Sequence, residues 1–169
     1  MNVAAYRLPG RYSKGMARIE SIAEQAARLV QDEMRERLGH VEIVASDTRG
    51  YRGRILAAEQ QILGTRTDPL WDYPESVGHT TLIPSGVLIL VDLEATAAGE
   101  LDETLVHELV HAVQFGRRGK RDFVLAGIRN NHGIQKAGGW LKVTLVDNRR
   151  VAADEREAQR LEHLARKLR

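Results

Sequence analysis

No cysteine occurs in the 169 residues. Thiolate zinc sites and cysteine nucleophiles are therefore excluded, and any metal must be held by His, Asp or Glu. The same absence leaves the redox compartment open. No apolar run is long enough to span a bilayer, and the opening stretch MNVAAYRLPGRYSKG lacks the sustained apolar core of a signal peptide. A cytoplasmic location is the expectation. Charge of one sign is not in excess: the net charge is +2 and the pI ≈ 9.1, a mildly basic balance that does not by itself make a nucleic-acid binder. No internal repeat, low-complexity tract or linker divides the chain. Residues 1–169 read as a single domain with enough apolar side chains for a core.

What is present is concentrated in LDETLVHELVHAVQF, residues 101–115. Leu101, Leu105, Leu109 and Val113 recur at helical spacing with Val106 and Val110 beside them, which predicts a buried amphipathic helix. Within it His107-Glu108-Leu109-Val110-His111 matches H-E-x-x-H. Residues four apart stand on one helix face, so His107 and His111 can both reach one zinc ion at ~2.0–2.1 Å. Glu108 is rotated away far enough to act as general base on a zinc-activated water. A surface helix with two half-exposed histidines and a solvated glutamate would carry the same string, but the flanking valines and leucines set these histidines against a core wall.

Around this helix the pattern predicts an α+β chain. Residues 1–14 read as a loose, flexible arm with a turn at Pro9-Gly10. A long amphipathic helix runs from Gly15 or Met16 to Leu38, with Gly39 as its stop. Val41 to Ala45 alternates as a strand, Ser46 to Gly53 is turn-rich, and Ile55 to Leu63 leans to helix. Thr65 to Gly78 is a long loop in which Trp71 is the expected aromatic anchor. Thr80 to Asp92 carries the densest β signal, broken at Pro84-Ser85-Gly86 by a hairpin turn or an edge bulge. Arg117 to Arg121 reads as a solvated basic loop, with contact to an acidic partner as the alternative. Residues 119–139 form a poorly patterned connection, 140–146 alternate as a strand, and Val151 to Leu168 is a final helix.

A catalytic zinc takes three protein ligands, so one must come from outside the motif. The extended pattern H-E-x-x-H-x-x-G-x-x-H is not met, because Gln114 and Arg117 stand at its last two positions. Glu155, Glu157, Asp154 and His132 are the remaining candidates, with capping of the last helix as the ordinary role for Asp154. Counted at 100° per residue, Asp154 falls on the middle of that helix's apolar stripe, Glu157 at its edge, and Glu155 on a flank lined by Ala152 and Ala158.

Glu155-Arg156-Glu157-Ala158-Gln159 resembles the E-x-x-A-[DN] signature that follows H-E-x-x-H in small gluzincin-type metallopeptidases, including the ImmA/IrrE-like and HtpX-like groups. Gln159 stands where that signature has Asp or Asn. Ile83 to Val87 and Glu100-Leu101-Asp102 are also similar to the strand and helix that build those sites. The resemblance covers residues 80–165. It implies a zincin-like domain: a small mixed sheet, an active-site helix and a C-terminal ligand-bearing helix, with one Zn2+ per chain and Glu155 as third ligand. It also implies that the strand before the active helix, Val87 to Val91, pairs with an extended protein or peptide substrate, which in the ImmA/IrrE group is a transcriptional repressor.

The sequence thus points to a zinc metallopeptidase, a hydrolase with metal ligands His107, His111 and Glu155 and catalytic Glu108. His132 or Arg129 is the expected helper for the oxyanion. The other reading is a catalytically inactive gluzincin-fold interaction or regulatory module. Neither a membrane nor a nucleic acid enters the expected partner set.

Overall fold

The computed structural model describes residues 1–73, 76–97, 99–135 and 148–169. The strand expected over 140–146 and the Gly138-Gly139 pair lie outside the described residues. The fold is α+β, a mixed four-stranded sheet with helices on both faces. Its strands are β1 (Asn2–Tyr6), β2 (Val41–Ser46), β3 (Gly78–Ile83) and β4 (Gly86–Asp92), in the order β1-β2-β4-β3. β1, β2 and β4 are parallel, and β3 runs antiparallel to β4 as a hairpin closed at Pro84-Ser85.

Alternation within the strands decides what covers each face. Val41, Ile43, Ala45, Val87, Ile89 and Val91 point to one side and form a core with α1 (Ser13–Met34), α3 (Leu101–Phe115) and α5 (Asn148–Leu161), continued by the 3-10 turns Glu162–Lys167. Val44, Leu88 and Leu90 point to the other side, where Tyr51, Ile55 and Ala58 of α2 (Thr48–Leu63) meet them. β4 is therefore apolar on both faces, as an interior strand must be. α4 (Lys120–Asn131) packs outside α3 and near β3. Among the described residues no helix is long and apolar enough to cross a membrane.

Several expectations are corrected. Residues 1–14 are not a loose arm: Asn2–Tyr6 pairs with Glu42 to Ser46 of β2 and Ser46 Oγ donates to Tyr6 O at 2.7 Å. Only Val3 to Ala5 offer an apolar signal there, so the strand owes its existence to a distant partner. Helix α1 ends at Met34, short of Leu38, because Arg35 turns into the left-handed region at φ 55. The polar stretch after Ser46 is the first half of α2, N-capped by Asp47, whose side chain accepts from Gly50 N at 2.7 Å. Trp71 is 57% exposed, and the contact it makes to α4 is through its backbone N–H, which donates to Asn131 Oδ1 at 3.3 Å. Tyr73 takes the anchoring role, donating to Glu59 Oε2 at 2.6 Å while its ring meets His79 edge-on.

The connection after Gly119 is a helix, and the basic cluster beside it is largely engaged. Arg117 spans Glu36 and Glu157, Lys120 pairs with Asp154, and Arg121 donates to the carbonyls of Ile83 and Gly86. Finally, Val87 to Val91 cannot receive a substrate strand, since β2 and β3 occupy both its edges. β3 is the edge strand on that side of the sheet.

Candidate metal centre

Helix α3 begins with Asp102 and Glu103 in its first turn, where carboxylates complement the helix dipole, and Asp102 also accepts from Arg18 of α1. Leu105, Val106, Leu109, Val110 and Val113 seat its apolar face on the core. That orientation leaves His107 and His111 half-buried on the side facing α5, and turns Glu108 toward β3.

The two imidazoles and Glu155 converge. His107 Nε2 and His111 Nε2 are 3.0 Å apart, and Glu155 oxygens lie 3.5 and 3.3 Å from them. Bonds of ~2.0–2.1 Å to a tetrahedral ion separate ligand atoms by about 3.3 Å, and the three observed separations straddle that value. Among the described residues this is the cluster able to hold a metal. The other third-ligand candidates are committed elsewhere. Glu157 accepts from Arg117 and Gln114, and Asp154, inside α5 and not at its N-cap, pairs with Lys120. His132 is buried 2.8 Å from Glu59 and hydrogen-bonded to Thr67.

The hydrogen bonds on the far side of each ring fix the tautomers. Glu162 Oε1 lies 2.8 Å from His107 Nδ1, and a carboxylate only accepts, so that nitrogen carries the proton. Gln114 Oε1 lies 2.8 Å from His111 Nδ1, while Gln114 Nε2 donates to Asp154 O and Glu157 Oε2. Its oxygen end must therefore be the acceptor of the imidazole N–H. Both rings then turn Nε2 toward one another and toward the Glu155 carboxylate. Two imidazole nitrogens and a carboxylate facing one another are a donor set that could hold a metal ion.

Glu108 lies beside this cluster with a different task. It is 6% exposed, and burial pushes its carboxyl up to about 7 against opposing pulls from His111 and the Thr80 hydroxyl. Thr80 Oγ1 donates to Glu108 Oε2 at 2.7 Å. His79, next to Thr80 on the edge strand, is pushed down to about 4 by burial and by the charge of His111. Its imidazole is thus neutral at pH 7.

Two clefts meet at the centre. One of about 700 Å³ is lined by Tyr51, Tyr73, Glu100, Glu103 and Thr104, and one of about 420 Å³ by Phe115, Phe123, Val124 and Val151. Ser76, Gly78, His107 and Glu108 line both. Neither contains His132 or Arg129, so the expected oxyanion helpers are not at the site.

Sequence reading missed four supporting residues. Glu162 was findable, since it follows Glu155 by two helical turns and shares its face. Thr80, Gly78 and Gln114 had no local signal, because each acts across elements distant in sequence. No family model, curated protein or solved structure matches the chain.

Proposed function

We propose that this protein is a zinc-dependent peptidase of the gluzincin type, on a zincin-like scaffold. The observation that carries the reading is the convergence of two imidazole Nε2 atoms and a carboxylate, with each Nδ1 held by a hydrogen-bond acceptor, beside a buried carboxyl poised near neutrality. His107, His111 and Glu155 would hold the ion. Zinc there would supply Lewis acidity and bring the pKa of water toward 7.

The remaining chemistry belongs to side chains of this chain. Glu108 takes a proton from the attacking water and returns it to the leaving amine, which suits a carboxyl titrating near pH 7. Thr80 holds Glu108 Oε2 so that the other oxygen faces the reaction. His79 is the donor we assign to the developing oxyanion, because it is neutral and lines the smaller cleft with His107, Glu108 and His111. The substrate is an extended peptide laid along β3, whose outer edge begins at Gly78 beside Glu108, with side chains entering the two clefts.

Metal analysis and a degenerate peptide library read by mass spectrometry test this together. The parent should hold about one zinc per chain and cleave library members, whereas Glu108→Gln should keep the zinc and lose about 10²–10⁴-fold in rate. Absence of zinc uptake, or undiminished cleavage by the zinc-loaded variant, overturns the proposal.

A further inference from the structure

The two residues that depart from the extended H-E-x-x-H pattern, Gln114 and Arg117, both engage α5, the helix that carries Glu155. Gln114 is fully buried and all of its polar atoms are used. Its oxygen accepts from His111 Nδ1 at 2.8 Å, and its nitrogen donates to the backbone carbonyl of Asp154 at 3.1 Å and to Glu157 Oε2 at 2.9 Å. Reversed, the amide would set its N–H groups against an imidazole N–H and its oxygen against two acceptors. The orientation is therefore forced.

One amide thus touches two of the three donors' supports. On one side it selects the His111 tautomer whose Nε2 lone pair points inward. On the other it grips the peptide group immediately before Glu155 and the carboxylate two residues beyond. Arg117, in the turn just past the end of α3, clasps the same Glu157 from Nη1 at 2.8 Å. The extended pattern would place its third histidine at position 117; here Gln114 and Arg117 anchor the helix that brings the ligand.

We propose that Gln114 is the positioning residue of the metal centre, setting the His111 tautomer and the placement of α5 through a single buried amide. The role in metal binding rests on the zinc reading above, whereas the tautomer it sets is a property of the metal-free protein.

Imidazole tautomers of His107 and His111 can be read by long-range 1H–15N correlation in metal-free protein, for the parent, Gln114→Met and Gln114→Glu. The parent should show Nδ1–H in both rings. Gln114→Met should lose that signature at His111 alone, since Glu162 still holds His107, and zinc affinity by chelator competition should fall about 10–100-fold. Gln114→Glu keeps an acceptor for His111 but loses the donor to Asp154 O. It should retain the His111 tautomer while zinc affinity falls and the visible absorption of the Co2+-loaded form shifts.

An unchanged His111 tautomer in Gln114→Met together with parental zinc affinity overturns the proposal. Should Gln114→Met fail to fold by circular dichroism, parental affinity and an unshifted Co2+ spectrum in Gln114→Glu overturn it instead. A parent that takes up no zinc sinks the peptidase reading, while the tautomer comparison still decides the role of Gln114.

Discussion

At position 78 the lack of a side chain is what allows a carboxylate to be buried at position 108. A Cβ there would stand 2.5 Å from Glu108 Oε1 and 2.8 Å from its Cγ. Gly78 has no left-handed backbone, so the requirement is for space and not for conformation. Gly78→Ala must displace either the edge strand or Glu108, and the glutamate side chain is the softer of the two. Peptide cleavage should then fall about 10²-fold or more, while zinc affinity stays within a few-fold, because the three atoms nearest the added Cβ all belong to Glu108 and none to His107, His111 or Glu155. Parallel zinc titration and cleavage assays check this; equal loss of both would mean that β3 itself had moved. A glycine at the start of a strand carries no such message in sequence, since its partner is 30 residues away on another element.

Elements whose apolar residues recur locally were legible. α3 has the bounds its leucines and valines predict, and β2 and the β3–β4 hairpin lie where alternation and Pro84-Ser85-Gly86 place them. β1 and α4 were not, for a common reason. β1 is exposed at three of five positions and depends on pairing with β2, and the one buried residue of α4 is Ile128. Charge joins α4 and α5 to their neighbours, with Ala158 and Leu161 of α5 also in the core: Lys120 pairs with Asp154, and Arg117 lies between Glu36, just past α1, and Glu157. Such pairs look in sequence like ordinary solvated residues, which is why the basic cluster read as a loop. Arg117→Met removes charge-assisted bonds that are about two-thirds shielded from water. It should destabilise the fold by about 1–3 kcal/mol in urea unfolding, a difference that narrows in 1 M salt as the exposed part of the interaction is screened. A variant as stable as the parent would show that packing alone docks α5.

For the whole molecule, two buried groups set opposing pH dependences in the metal-free fold. The Glu108 carboxyl moves from an ordinary 4.5 to about 7, chiefly because burial disfavours its charge. The folded state therefore keeps a proton that the unfolded chain gives up, and this contribution, full below pH 4.5, is lost as pH rises through about 7. The His79 imidazole moves from 6.5 to about 4, again chiefly by burial, with the charge of His111 adding to it. Its contribution is full above pH 6.5 and lost as pH falls through about 4. Each shift corresponds to at most about 3 kcal/mol, with His79 the smaller because part of its ring opens to the cleft. Glu157, held below its ordinary range mainly by Arg117, acts below pH 4.5 and leaves this window alone. Between pH 4.5 and 6.5 the two slopes have opposite sign and largely cancel, so the chelator-treated parent should show only a shallow fall in unfolding free energy. Removing one group uncovers the other. Glu108→Gln should become more stable from pH 4.5 to 6.5, and His79→Gln should become less stable over the same interval. Urea unfolding at three pH values in that range, with a chelator present, reads all three slopes; parallel profiles for parent and both variants would show that neither group is perturbed by the fold.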